Sequence, residues 1–514
     1  MKRHALVSDG TLQRLLQAAQ QAYARRNFDE CFETLERARR MSPADISILL
    51  NIGGFYVRRY ETAKAAEYFD RALKLSPRKT ATLEDAGTRC RDATSFELAR
   101  QYLEQAAAQK DVSAEGLAAL GWVYERLRRM DEANAVAERA IKLNPNSTAA
   151  ILIKARLEHL GGKNAEAEAR LRAFTTSREA ADARVRAAYD LGAILDRQGR
   201  YDEAMAAFQH AKDLQKPHAA RPTAELKITR DRLAAMVDSL TPEILQRWKD
   251  SRSSYQPTLR LALLGGHPRS GTTLLEQVVD SHPEVVSAEE TDVFNDDAYV
   301  PMHAHLPKET PMLDELELAT TAMIQKSRTN YLRRIEAFLG QPIGQRLLVD
   351  KNPSLTFLVP AMVRIFPEIK FLIALRDPRD VCMSCFMQPV QLNQVSSAWL
   401  SLEGSIGEYI ALIGGWRKTM PKLPNPTLEV RYEDMVADLE PVARKTLDFL
   451  GVAWDPKVLG FDEHARQKAV RSPTYSDVTK KVFKTAVGRW RNYQKYFEPH
   501  LAKLEPLAKE LGYE

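Results

Sequence analysis

Two short stretches carry residue types suited to holding phosphate. His267-Pro-Arg-Ser-Gly-Thr-Thr273 follows an apolar run, Leu259-Arg-Leu-Ala-Leu-Leu264, which Gly265 and Gly266 are expected to break. An apolar helical run, Leu274-Leu-Glu-Gln-Val-Val279, comes after it. Strand, glycine loop and helix together aim free backbone N–H groups at an anion. Four residues separate Gly266 from Gly271, as in the phosphate loop of nucleotidases. Thr272, however, stands where that loop has its Lys, and Thr273 where a hydroxyl would hold magnesium. The absent Lys argues against ATP or GTP hydrolysis and against a nucleotide kinase, while Arg269 brings positive charge from within the loop. The second stretch begins where the apolar run Phe371–Leu375 meets Arg376-Asp-Pro-Arg-Asp-Val-Cys-Met-Ser384. There Arg376 offers a forked, permanently charged donor, and Ser384 a hydroxyl from the following helix.

Together these stretches resemble sulfotransferases that use 3′-phosphoadenosine 5′-phosphosulfate (PAPS). The resemblance covers residues 258 to 514. It implies that His267, Arg269, Ser270, Gly271, Thr272 and Thr273 hold the 5′-phosphosulfate, and that Arg376 and Ser384 hold the 3′-phosphate. Ser281-His-Pro-Glu-Val-Val-Ser-Ala-Glu-Glu-Thr291 is similar to the tyrosylprotein sulfotransferases. It implies Glu290 as the base for the acceptor hydroxyl, with its neighbour Glu289 as the alternative. By the same resemblance Lys351, in Asp350-Lys-Asn-Pro353, neutralises charge on the bridging oxygen, and Tyr432, Tyr475 and Arg489 lie along the nucleotide. Gln388 departs from the pattern, since those enzymes have a further Arg there. Product PAP, no metal, and a hydroxyl acceptor follow from the resemblance. Peptide tyrosine, a saccharide and a small metabolite all stay open as acceptors. A PAP-binding scaffold without turnover is the alternative reading.

The first half must be read for repeats. Ala38, Ala72, Ala106 and Ala140 recur every 34 residues, as do Gly53, Gly87 and Gly121; Pro43, Pro77 and Pro145 keep the same phase. Small residues suit close helix crossings and proline stops the second helix of each unit. No unit can bury its apolar face alone, so the units stack. This resembles the tetratricopeptide repeat and implies either a concave surface for a protein or peptide acceptor, or a scaffold only. The expected architecture is an α-solenoid followed by a three-layer α/β domain with a mainly parallel sheet. Strands are expected at 259–264, 371–375 and 427–431, with ligand at their carboxyl ends. The domains are expected at 1–217 (repeats), 218–257 (a helical linker capped at Thr241) and 258–514 (the chemistry).

Composition narrows the classes. The chain has 514 residues, 28% of them charged, and a net charge of +6. This is an ordinary balance without the concentrated basic stretch of a nucleic-acid binder. No apolar run is long enough to cross a membrane, and MKRHALVSDG has no apolar run behind its basic residues. The expected compartment is the cytoplasm, and a homodimer is open. Four cysteines make no disulfide framework at this length, and Cys382-x-x-Cys385 lacks the second pair that zinc requires.

Overall fold

A computed structural model describes residues 2–176, 180–467 and 486–513. They form two compact units, Met1–Arg170 and Leu171–Glu514.

The first unit is built from antiparallel helix pairs, such as Ile46–Arg58 with Thr62–Leu75 and Ala114–Arg126 with Met130–Leu143. The small residues of the 34-residue period stand where helices cross. Ala38, Ala72 and Ala140 have no exposed surface. A Cβ on Gly53 would come within 2.4 Å of the Phe69 ring, and one on Gly87 within 2.5 Å of Leu103. Within each pair the turn uses one left-handed residue: Arg26, Tyr60, Thr94, Arg128 and Gly162, again 34 apart. The following amide reaches back five residues, as with Ser95 to the Cys90 carbonyl at 2.9 Å. That bond closes a C-capping turn of the Schellman type. Four of these five positions lack glycine, so the turns bear a backbone cost that glycine would relieve.

The second unit holds a five-stranded parallel sheet: β1 Leu261–Gly266, β2 Val285–Glu289, β3 Leu347–Lys351, β4 Lys370–Leu375 and β5 Thr427–Arg431, in the order β2-β3-β1-β4-β5. Ala262, Leu264, Val349, Leu372 and Ala374 lie fully or almost fully buried beneath helices that include Thr272–Asp280. Burial of short strands on both faces is the usual state of a parallel sheet. The expected solenoid and α/β architecture is thus present. Two details differ from expectation. Gly265 and Gly266 do not break β1 but complete it, pairing with Ile373 and Ala374. Gly266 has φ +129°, and a Cβ there would lie 2.4 Å from the Ala374 carbonyl oxygen, so only glycine allows β4 this close. Lys351 ends β3. The helical hairpin Ala181–Arg197 and Tyr201–Gln215, counted with the repeats by sequence, lies in the second unit. The helix Pro242–Asp250 starts as read, with the Thr241 hydroxyl accepting from the Ile244 amide at 3.3 Å.

Candidate active site

The sheet order assembles the site. The carboxyl ends of neighbouring strands deliver Glu289 and Glu290 (β2), Lys351 (β3), the 267–273 loop (β1), Arg376 (β4) and Tyr432 (β5) along one edge. After β3 returns to lie beside β1, the chain crosses to β4 on the other side of β1, so the strand order reverses next to β1, where ligands of open α/β sheets bind.

The loop is held from below. Thr356 brackets Gly266, its hydroxyl accepting from the Gly266 amide at 2.7 Å and donating to the Gly266 carbonyl at 2.9 Å. Arg269 has φ +74°, a left-handed conformation unfavourable for a side-chain-bearing residue. Gly271, at φ +94°, precedes the helix Thr272–Asp280, whose first turn receives no side-chain cap. A Cβ on Gly271 would lie 2.6 Å from the Tyr432 ring, so Tyr432 packs directly against the loop. Thr272 and Thr273 are buried at the helix start. The buried Ser270 hydroxyl makes no hydrogen bond. His267 faces downward: its Nε2 is paired with Glu408, its Nδ1 is 2.7 Å from the Pro268 carbonyl, and its ring lies against Tyr409. Burial disfavours the imidazolium, but the Glu408 charge outweighs it and raises the pKa well above the ordinary value. This histidine supports the loop from beneath and is 1% exposed.

Arg376 and Ser384 close the next side. Arg269 Nε donates to the Ser384 hydroxyl at 2.9 Å, and Arg376 donates to the Arg269 carbonyl at 3.2 Å and to the Ala486 carbonyl. The guanidinium of Arg376 lies 4.8 Å from the Tyr432 ring centroid, and its Nε is buried without a partner. An orphan hydroxyl on the loop and an orphan guanidinium N–H beside it are what an absent anionic ligand would satisfy. The loop, with its uncapped helix start, and Arg376 therefore suit an anionic group.

On the other side of the loop, Lys351 is fully buried, 2.5 Å from Glu290 and 3.7 Å from Glu289. Burial pulls its ammonium down, but Glu290, Glu289 and Glu276 together raise it above the ordinary lysine value. Of the adjacent acids, Glu289 is 2% exposed, whereas the Glu290 side chain keeps 36% exposure. The left-handed backbone of Glu290 (φ +48°) turns it out of the strand while its amide still bonds to the Lys351 carbonyl at 2.7 Å. This pairing yields a solvent-reaching carboxylate with a buried cation beside it.

Arg489 is ion-paired with Asp196, and Tyr475 lies outside the described residues. Gln388 follows the helix Pro378–Phe386 that carries Ser384. Cys382 and Cys385 are free and buried on that helix. Sequence reading missed Thr356, Glu408, Asp380 and Glu276; Thr356 and Glu408 bond to Gly266 and His267, 90 and 141 residues away, where no spacing rule reaches. A cleft of about 400 Å³ opens at the opposite, amino-terminal end of the sheet. Its Lys370 bonds to the Phe449 and Leu450 carbonyls, and its Arg260 to the Gln345 and Gly451 carbonyls, so these cations cap backbone. Among the described residues no cluster of His, Cys, Asp or Glu could hold a metal, and no helix is long and apolar enough to cross a membrane.

Residues 262–456 match the model of the sulfotransferase family, and residues 16–79, 114–147 and 154–222 match tetratricopeptide repeat models. An uncharacterized protein of Aquifex aeolicus is 24% identical over 76% of the chain and 50% of its own length. Protein-tyrosine sulfotransferase 1 of Danio rerio is 26% identical over 51% of the chain and 74% of its own length. The chain thus spans half the length of the first relative. A sulfotransferase domain from the Synechococcus PCC 7002 olefin synthase is 23% identical, with a TM-score of 0.36, over 49% of the chain and 94% of that domain.

Proposed function

We propose that this chain, a sulfotransferase-family domain joined to tetratricopeptide repeats, moves a sulfuryl group from PAPS to a hydroxyl, with peptide tyrosine as the acceptor class tested first. The observation that carries the reading is the shared sheet edge. There the loop and Arg376, each with an orphan polar group, stand beside a solvent-reaching Glu290 held by Lys351. The acceptor oxygen forms a bond to sulfur as the bond between sulfur and the bridging oxygen of the 5′-phosphate breaks. The hydroxyl proton goes to Glu290, and PAP leaves. Loop N–H groups, Arg269 and Lys351 meet the charge that grows on the leaving oxygen. Arg376 and Ser384 take the 3′-phosphate, which ATP lacks. Relatives named protein-tyrosine sulfotransferases and the presence of repeats that suit a peptide support the acceptor class.

The test is transfer of radiolabelled sulfate from PAPS to tyrosine peptides, glycans and small hydroxyl compounds, with mass spectrometry locating the sulfated atom. Sulfation of a tyrosine oxygen supports the full reading. Sulfation confined to glycans or small molecules keeps the enzyme and replaces the acceptor. PAP binding with no transfer to any acceptor class favours the nucleotide-binding scaffold.

A further inference from the structure

We infer that Asp196, on the helical hairpin that precedes the catalytic sheet, is a positioning residue for the 3′-phosphate side of the donor site. It acts by holding residues 486–493 against Arg376. The inference rests on the donor reading above. Asp196 sits near the end of the helix Ala181–Arg197 and is 7% exposed. One of its carboxylate oxygens accepts from the Tyr493 hydroxyl at 2.7 Å and the other is paired with Arg489. Tyr493 is fully buried and meets Tyr201, on the hairpin's second helix, edge to face at 5.5 Å between centroids. Asp202 of that helix adds an ion pair to Lys495 at 2.7 Å and accepts from the Tyr496 hydroxyl at 3.1 Å.

The same segment is also held by the catalytic helix Pro378–Phe386. Asp380 accepts from the Gly488 amide at 2.7 Å and from the Trp490 amide at 2.8 Å, and Arg379 lies 4.6 Å from the Trp490 ring centroid. Two buried carboxylates on different helices, Asp196 and Asp380, therefore hold 488–493. The segment in turn supplies the Ala486 carbonyl to Arg376 and so helps fix the guanidinium whose Nε is unpartnered. Fixing a planar donor before ligand arrives lowers the ordering cost of binding. Asp196 itself makes no contact with the loop or with Arg376, so its effect must pass through the segment. An aspartate of a repeat-like hairpin would thereby set the affinity of a nucleotide site.

The test uses the full chain and two variants, Asp196→Asn and Tyr493→Phe. Hydrogen exchange should speed up about tenfold at the Gly488 and Trp490 amides, while the helices Ala181–Arg197 and Tyr201–Gln215 keep their protection, which shows the hairpin still folds. Calorimetry should show PAP binding weakened about tenfold in Asp196→Asn, the scale of one charge-assisted hydrogen bond. Adenosine 5′-monophosphate, which lacks the 3′-phosphate, should bind within about twofold of the unaltered chain, a margin of under 0.5 kcal/mol. Unchanged exchange at both amides, or equal weakening of both nucleotides, overturns the inference. Failure of the unaltered chain to bind PAP overturns the donor reading and with it the ligand named here. Normal PAP binding with unchanged exchange in both variants overturns the role of Asp196 alone.

Discussion

Replacing Lys351 with Met removes the cation from an acidic pocket and keeps the length of the side chain. Lys351 has no exposed surface, and its ammonium faces Glu290 at 2.5 Å and Glu289 at 3.7 Å. Glu276, which also acts on it, is fully buried and held by the Ser287 hydroxyl at 2.5 Å. Breaking one side of a buried pair leaves charge uncompensated and costs about 3–5 kcal/mol. At roughly 2–4 °C per kcal/mol for a domain of a couple of hundred residues, the melting temperature should fall by about 6–20 °C, nearer the lower figure for this larger unit. The sign of the pH dependence follows from the groups left behind. Without the ammonium, burial and mutual repulsion raise the native pKa of the carboxylates above the unfolded values. The penalty is then absent below about pH 4 and grows as pH rises, so the variant should lose more stability at pH 8 than at pH 5. Urea unfolding followed by tryptophan fluorescence reads this, because Trp248, Trp399, Trp416 and Trp490 are all buried in the same unit. Lys351→Arg should recover part of the loss. A penalty below about 1 kcal/mol with no pH slope would refute the claim that this ammonium neutralises the acidic pocket.

Further predictions concern a buried acid, the repeat turns and the base. Burial pushes the Asp350 carboxyl up to about 7, against the lowering effect of the Tyr331 hydroxyl that donates to it at 2.8 Å. A carboxyl raised in the native state costs stability as pH climbs from its unfolded value towards 7. The stability of Asp350→Asn relative to the parent should therefore rise by about 2–3 kcal/mol between pH 5 and pH 8; a flat difference in urea unfolding would contradict this. Thr94 is β-branched at φ +58°, and Thr94→Gly should stabilise the first unit by about 0.5–1 kcal/mol in thermal unfolding, whereas a loss would mean the hydroxyl makes an interaction worth more than the strain. Glu290→Gln should lower the rate of transfer about a hundredfold to ten-thousandfold with PAP affinity nearly unchanged, and unchanged turnover would remove it as base.

The strand, loop and helix around residues 267–273 were legible because the flanking apolar runs are local signals. The 34-residue period was legible because close helix crossings exclude all but small side chains, as Gly53 against Phe69 illustrates. Local reading failed where a partner comes from far along the chain. Gly266 looks like a strand breaker until β4 is placed beside it, where it becomes the residue that permits pairing with Ala374. The repeat turns were hidden because Arg26, Tyr60, Thr94 and Arg128 take a conformation that sequence rules reserve for glycine. Glu408 beneath His267, and Asp196 behind Tyr493, sit 141 and 297 residues from their partners. No spacing rule reaches that far. β2 was passed over because its apolar run is interrupted by Ser287 and ends in Glu289, too short a signal to read as a strand.

The central claim is that this site transfers a sulfuryl group from PAPS. The most direct measurement follows radiolabelled sulfate in the presence of a tyrosine-containing peptide, pairing label in product with PAP released, for the unaltered chain and for Arg269→Ala. The account predicts one PAP per sulfated product in the unaltered chain, with both signals lost in Arg269→Ala. PAP bound tightly while no label reaches the peptide, a glycan or a small hydroxyl compound would contradict it.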